Sequence, residues 1–400
     1  MTRVHFPSRS GHTLAGNLEL PPGGEWRTTA LFAHCFTCGR NIRAARDVTR
    51  ALAASGFAVL RFDFTGLGDS EGEFVDTTFS SNLDDLEDAA AWLSKAFAAP
   101  QLLVGHSLGG TAALAVAERL PAVRAIATLA APAHPEHVLK HIGDDIGSIE
   151  EEGSVEVDLG GRPFRIRRDF IDDVRSHELA PRLRKLRRAL LVMHAPGDQV
   201  VAIDQAEAIF KAALHPKSFV SLDDADHLLS RAADSAYAAT VIAGWASRYL
   251  DLERVEPGEG VVVSGRTADG FLCRVVAGAH DMIADEPESS GGHDRGPDPY
   301  RYLAAALGTC TVMTMNMYAR HKKLPVTRVR CAVVHRKVHA KDCEDCETHE
   351  GRLDELSRVI AIEGDLAPEQ RERMLEIADR CPVHRTLEGE IKVRSALDPN

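Results

Sequence analysis

The chain has 400 residues, 44% of them apolar and 26% charged, with a formal net charge of −12. That balance is an ordinary globular one with room for two or three domains, and its acidity argues against a nucleic-acid binder, which needs a basic face, local basic patches such as 182–188 aside. No apolar run approaches the ~18 residues of a membrane span, residues 1–22 hold no apolar h-region of a secretory signal, and eight cysteines then read as reduced thiols of a cytoplasmic chain.

In chain order, residues 1–20 alternate polar and apolar and predict an opening β-hairpin before the turn Pro21-Pro22-Gly23-Gly24. Residues 29–34 predict a short buried strand, followed by a Cys35-Phe36-Thr37-Cys38-Gly39 loop and a helix over 42–54 that stops at Ser55-Gly56. The next strand, 57–62, runs into a glycine-rich loop from Asp63 to Ser70. Asn82, with Asp84 and Asp85, is the expected cap of a helix over 83–98. Residues 102–104 read as a strand, 111–120 as an alanine-rich helix and 125–130 as another strand. Segment 134–186 is charged and irregular, expected as a cap over the sheet edge or as a surface insertion. Alternation resumes with a strand at 189–194, a helix at 203–213, a strand at 218–222 and a helix at 234–250. Such alternation implies the α/β class: a doubly wound parallel sheet with helices on both faces, binding ligands at its strand C-terminal ends.

Gly105-His106-Ser107-Leu108-Gly109 lies between the strand 102–104 and the helix 111–120. A serine pinched there by two glycines is a nucleophile elbow: glycine permits the sharp turn, and the hydroxyl stands over a helix N-terminus that favours negative charge. A serine hydroxyl alone is a poor nucleophile and needs a base oriented by a third group. Asp198 follows the strand 189–194 more directly than its rival Asp204, and His227 follows the strand 218–222. The order Ser107, Asp198, His227 assigns nucleophile, imidazole-orienting acid and general base. Asp224 and Asp226 read as solvated neighbours of His227, His106 as a variable motif position and His34 as a loop-shaping residue. With this set, residues 1–252 (134–186 as cap) resemble the α/β-hydrolase family. The resemblance implies a serine carboxylesterase that takes small acyl esters through an acyl-enzyme, without a cofactor. It also implies an oxyanion hole from the Leu108 amide and an amide after His34; Cys35 stands where the family has glycine, and Phe36 or Cys35 is the second donor.

Residues 253–259 are polar, carry Pro257-Gly258 and read as a linker. Beyond it, 260–264, 271–276 and 280–284 predict a meander of short strands, and 289–299 a glycine-proline loop. A long apolar helix over 300–321 places Leu303, Leu307, Cys310, Met313 and Met317 on one core-facing stripe. An alternating strand is expected at 326–339, an amphipathic helix at 368–380 ending in Cys381-Pro382-Val383-His384, and a closing strand at 390–394. Cys381, just before a proline that can open a helix, would favour the thiolate.

The strings Gly296-Pro297-Asp298-Pro299-Tyr300, Leu303-Ala304-Ala305-Ala306-Leu307-Gly308-Thr309-Cys310 and Cys381-Pro382-Val383-His384 resemble OsmC/Ohr proteins, so 260–400 is read as an α+β OsmC-like domain. That resemblance implies Cys310 and Cys381 as peroxidatic and resolving cysteines, organic or lipid hydroperoxides as substrates, a thiol reductant and a homodimer. The family's reductases carry glutamate ten residues before the first cysteine, and this chain carries Tyr300. Arg266, Arg274 and Arg295 are candidates for the activating arginine. The alternative is a dimerisation or ligand-binding module without redox activity, which Tyr300 favours. Cys343 and Cys346 form a C-x-x-C that, with His339 and His349, could hold zinc tetrahedrally or be a reduced exposed dithiol. Cys35 and Cys38 read as loop packing, Cys273 and Cys331 as core.

Overall fold

A computed structural model describes residues 1–159, 161–250, 260–339 and 351–397. The chain divides into two compact units, Met1–Gly270 with Val276–His280, and Phe271–Val275 with Asp281–Asn400. The expected linker and Cys343, Cys346 and His349 lie outside the described residues.

The first unit opens with β1 (Thr2–Pro7) and β2 (Thr13–Glu19), an antiparallel hairpin. Then come β3 (Thr28–Ala33), α1 (Arg43–Ala54), β4 (Phe57–Phe62), α2 (Phe79–Ala96), β5 (Leu102–His106), α3 (Leu108–Val116) and β6 (Ala125–Leu129). An insertion follows: a 3-10 segment (Pro135–His141), α4 (Asp145–Glu152), the hairpin β7 (Ser154–Asp158) and β8 (Pro163–Arg167), α5 (Arg168–Ser176) and α6 (Leu179–Leu183). The unit continues with β9 (Ala189–His194), α7 (Ile203–Ala212), β10 (Lys217–Ser221) and α8 (Ala232–Ala246). Eight strands form one sheet in the order β1-β2-β4-β3-β5-β6-β9-β10, parallel from β4 to β10.

β3, β4, β5, β6 and β9 are buried at every position, the reason they read as short continuous apolar runs. Successive side chains feed two cores: Leu103 of β5 packs with α2 and α3, while Leu102 and Val104 pack with α1 and α8. Each fully buried leucine contributes about 1.5–3 kcal/mol. The expected cap of α2 is corrected. Thr78 caps it, accepting from the Ser81 amide at 3.1 Å, while the Ser81 hydroxyl accepts from the Thr78 amide at 2.9 Å. Asn82 thus lies inside the helix. Asp85 is buried instead, accepting from the Thr65 amide and hydroxyl, both at 2.9 Å. Burial outweighs those bonds and raises its pKa to about 6.

Beyond residue 260 come β11 (Val261–Gly265), β12 (Cys273–Ala277) and β13 (His280–Ala284), a three-stranded sheet. α9 (Pro299–Lys322) then packs on a long antiparallel hairpin, β14 (Val326–His339) and β15 (Arg352–Gly364), followed by α10 (Pro368–Ala378) and α11 (Pro382–Leu387). Two expectations are corrected here. The buried stripe of α9 is Leu307, Gly308, Thr311, Met315 and Ala319, not the one through Met313 and Met317. At Gly308 the packing is tight: a Cβ there would lie 3.2 Å from the Val333 side chain. Met313 and Met317 are 61% and 71% exposed. Residues 390–394 are not a strand; Ile391 and Val393 alternate but stand exposed, with no strand paired to them among the described residues. No helix among the described residues is long and apolar enough to cross a membrane.

Candidate active site

The parallel strands end in register, so the loops after β3, β5, β9 and β10 gather at one sheet edge. Ser107, immediately after β5, has φ 54° and ψ −129°, and its amide donates to the Leu129 carbonyl at 2.8 Å. The turn closes so tightly that a Cβ on Gly105 would lie 2.4 Å from the Gly109 carbonyl, and one on Gly109 would lie 2.2 Å from the His34 carbonyl. Glycine is required at both positions.

Asp198 and His227 arrive on the loops after β9 and β10. His227 Nδ1 lies 2.8 Å from Asp198 Oδ2, and its Nε2 lies 3.0 Å from Ser107 Oγ. The other carboxylate oxygen of Asp198 accepts from the Val200 and Val201 amides at 2.8 and 3.0 Å. Burial alone would raise the Asp198 pKa; the bonds from His227 and the two amides outweigh it and hold the carboxyl below its usual range. The arrangement can move a proton from Ser107 to His227 while Asp198 fixes the tautomer with Nδ1 protonated. Asp204, the rival acid, instead lies on α7.

Three further histidines stand at these strand ends, and sequence reasoning gave none of them this work. His106 Nε2–H donates to the His227 carbonyl at 2.7 Å, and His194 Nε2–H to the Val201 carbonyl at 2.7 Å. His34 Nδ1–H donates to the Cys35 carbonyl at 2.8 Å. Burial lowers all three pKa values, that of His106 to about 3, so each is a neutral donor at pH 7. His106 ties the elbow strand to the loop of His227, and His194 ties β9 to the loop of Asp198. The readable signal was an apolar strand ending in histidine, which occurs at β5 and β9 alike.

The oxyanion candidates Leu108 and Phe36 line one small pocket with His34, Cys35 and Gly109. Leu108 opens α3, so its amide is among those a helix leaves without an internal acceptor. The loop of Phe36 corrects the reading of its cysteines: Cys35 and Cys38 are joined by a disulfide, with Cα atoms 5.3 Å apart. A C-x-x-C turn already brings the two Cα atoms within disulfide reach. Downstream, the Arg40 amide donates to Asp63 Oδ1 at 2.6 Å, and its guanidinium pairs with Asp63 and Asp69. From the insertion, Phe170 stacks on Phe36 at 5.5 Å, and Phe164 meets Phe74 at 4.7 Å. A cavity of about 480 Å³ opens beside the 3-10 segment, walled by His137, Leu139, Lys140, Ile146 and Gln205.

In the second unit Cys381 is fully buried and Cys310 half-buried, both as free thiols. The Cys381 sulfur accepts from the His384 amide at 3.4 Å and lies 3.8 Å from the Thr311 hydroxyl, one position after Cys310 on α9. The guanidinium beside it is Arg358, which donates to Thr311 at 3.0 Å, to Asp379 at 2.7 Å and to His384 Nδ1 at 2.8 Å. Sequence reasoning missed Arg358, because no motif surrounds it on β15. Arg266 pairs with Asp269 and Arg274 with Asp281, while the Arg295 amide donates to Asp285. Tyr300 stacks on His335 at 4.1 Å. Cys273 and Cys331 are half-buried, and the Cys331 pKa is raised by burial. His339 ends β14, and no group of potential metal ligands occurs among the described residues.

Residues 31–144 match the family described as serine aminopeptidase, S33, and residues 292–396 the family described as OsmC-like protein. No curated protein matches the chain. Among solved structures, the esterase domain of a Rhodothermus marinus protein is 46% identical, over 62% of this chain and 98% of its own, with a TM-score of 0.52. Est1E from Butyrivibrio proteoclasticus with ferulic acid bound (19%, 62% and 98%, TM-score 0.51) shares the fold. So does mouse alpha/beta hydrolase domain-containing protein 10 (21%, 62% and 99%, TM-score 0.52). Identity at that level along almost the whole of an esterase domain, with the second family match falling in the other half, places this chain in the α/β-hydrolase family, as an esterase-type serine hydrolase domain joined to an OsmC-like domain.

Proposed function

We propose that the first domain, residues 1–252 with 134–186 as its cap, is a carboxylesterase for small acyl esters. The observation that carries it is the bonded chain Asp198, His227, Ser107. Ser107 Oγ attacks the ester carbonyl as His227 Nε2 takes its proton. The tetrahedral oxyanion is held by the Leu108 and Phe36 amides, donors worth about 2.7–4 kcal/mol apiece. Collapse expels the alcohol, which takes the proton from His227, and a water activated by His227 then releases the acid. The ferulic acid held by the fold relative Est1E is a carboxylic acid of the modest size proposed for the acyl group here. A fluorophosphonate is expected to add once to the chain, on Ser107, with loss of p-nitrophenyl ester hydrolysis. Inactivation with the label on another residue would sink the assignment.

We further propose that residues 260–400 reduce organic or lipid hydroperoxides. The Cys310 thiolate attacks the peroxide, releasing an alcohol and leaving a sulfenic acid; Cys381 condenses with it, expelling water and forming a disulfide that an external dithiol reduces. Arg358 beside Cys381 is the observation in favour. The exposed apolar residues Met313, Met317 and Val359 suit a homodimer through this domain. The second reading, a dimerisation or ligand-binding module without redox chemistry, is favoured by Tyr300, whose ring lies flat on His335 in place of a carboxylate. Cys310→Ser decides between them. Dithiol-dependent hydroperoxide turnover is expected to fall to background, and unchanged turnover leaves the second reading standing.

A further inference from the structure

The loop carrying the Phe36 amide is closed on itself. The Cys35–Cys38 bond makes a ring of four residues with Phe36 inside it, and the Cys38 amide donates to the Cys35 carbonyl at 3.2 Å across the same ring. Thr37, also inside, has φ 57°, a left-handed conformation that costs a non-glycine residue about 1–2 kcal/mol. One end of the ring is held by His34 on the Cys35 carbonyl, and the chain two residues past the other end is held by Asp63 on the Arg40 amide. What those anchors leave unfixed is the path between them, and the sulfur bond fixes it. The ring begins directly after the elbow's close neighbour: the His34 carbonyl is the atom a Cβ on Gly109 would strike. Cys35 is 4% exposed and Cys38 only half-buried, so an external thiol reaches the Cys38 sulfur first.

We propose that Cys35 and Cys38 are positioning residues of the hydrolase, and that their disulfide makes ester hydrolysis redox-dependent: bonded, it aims the Phe36 amide at the oxyanion; reduced, it lets Thr37 relax and the donor swing away. This rests on the esterase reading above. The switch is ordinary thiol exchange with a dithiol reductant. One thiolate attacks the Cys38 sulfur, the Cys35–Cys38 bond breaks, and Cys35 leaves as a thiolate that takes a proton. The reductant's second thiolate attacks the mixed disulfide, leaving as a cyclic disulfide and freeing Cys38, so the protein gains two electrons and two protons. The reductant class is the one proposed for the OsmC-like domain, so the hydrolase would run fastest when dithiols are depleted.

The test uses the full-length chain, assayed for p-nitrophenyl acetate hydrolysis after incubation with oxidised glutathione or with dithiothreitol, the thiol state being read by alkylation and peptide mass. Reduction is expected to lower kcat at least tenfold, with KM changed less than twofold, and reoxidation to restore it. Cys38→Ser is expected to show the reduced rate in both buffers. Equal kcat in the two states, with Cys35 and Cys38 shown to be paired in one and alkylated in the other, overturns the proposal alone. So does a failure of the two to pair under oxidation, or a Cys38→Ser variant that keeps the full redox response. Absence of any Ser107-dependent hydrolysis in both states overturns the esterase reading and this proposal with it.

Discussion

Ser107→Ala is expected to lower kcat for p-nitrophenyl esters by on the order of 10⁴–10⁶-fold, with KM little changed and the fold intact. The hydroxyl is the only atom removed. It is half-buried at the strand end and contributes little packing, while the backbone turn is set by Gly105 and Gly109 rather than by the serine side chain. Binding surfaces and both proposed oxyanion amides survive, so a remnant of roughly 10³–10⁴-fold over water is expected to persist. Circular dichroism and steady-state kinetics on the purified variant check both halves of the expectation. A folded variant within tenfold of wild type would show that Ser107 is not the nucleophile.

Asp198→Asn is expected to cost about 10⁴-fold in kcat. The amide oxygen can still accept from Val200 and Val201, so the loop keeps its shape. Toward His227, however, an NH₂ donor replaces an acceptor. The imidazole must then present a bare Nδ1 and a protonated Nε2, the tautomer that cannot take the Ser107 proton. The substitution also alters acid stability. The Asp198 pKa lies below its ordinary 3.8 in the folded chain. Its charge therefore contributes stability above pH 3.8 that fades as pH falls through the folded value. Urea midpoints at pH 7 and pH 3 should differ less in the variant than in wild type. A variant keeping more than a tenth of the wild-type rate would move the orienting role elsewhere.

The sheet of the first unit was legible because its central strands are buried on both faces and so appear as short apolar runs such as 102–104, each followed by a helix. The elbow and its two partners were legible for a related reason: each lies on the loop after a sheet strand, and loops at one sheet edge converge. Contacts made through backbone carbonyls were not legible. Nothing in the spelling of His106 or His194 says that its second ring nitrogen reaches a loop 121 or 7 residues away. Caps fail for a similar reason, since Thr78 and Asn82 are both good cap residues and only the capping geometry with Ser81 chooses between them. In the second unit, periodicity misplaced the buried face of α9 because the helix carries apolar residues on more than one side. The sequence pattern picks out the stripe through Met313 and Met317, whereas the face that packs runs through Leu307, Thr311, Met315 and Ala319.

The conformation of Ser107 separates two optima that most positions share. At φ 54° and ψ −129° a glycine would sit without strain, whereas any residue with a Cβ carries about 1–3 kcal/mol there. The thermodynamically best residue at this position is therefore one that cannot attack an ester. A library of this chain screened only for heat resistance will drift toward Ser107→Gly, and stabilised variants will need an activity screen alongside to keep the serine.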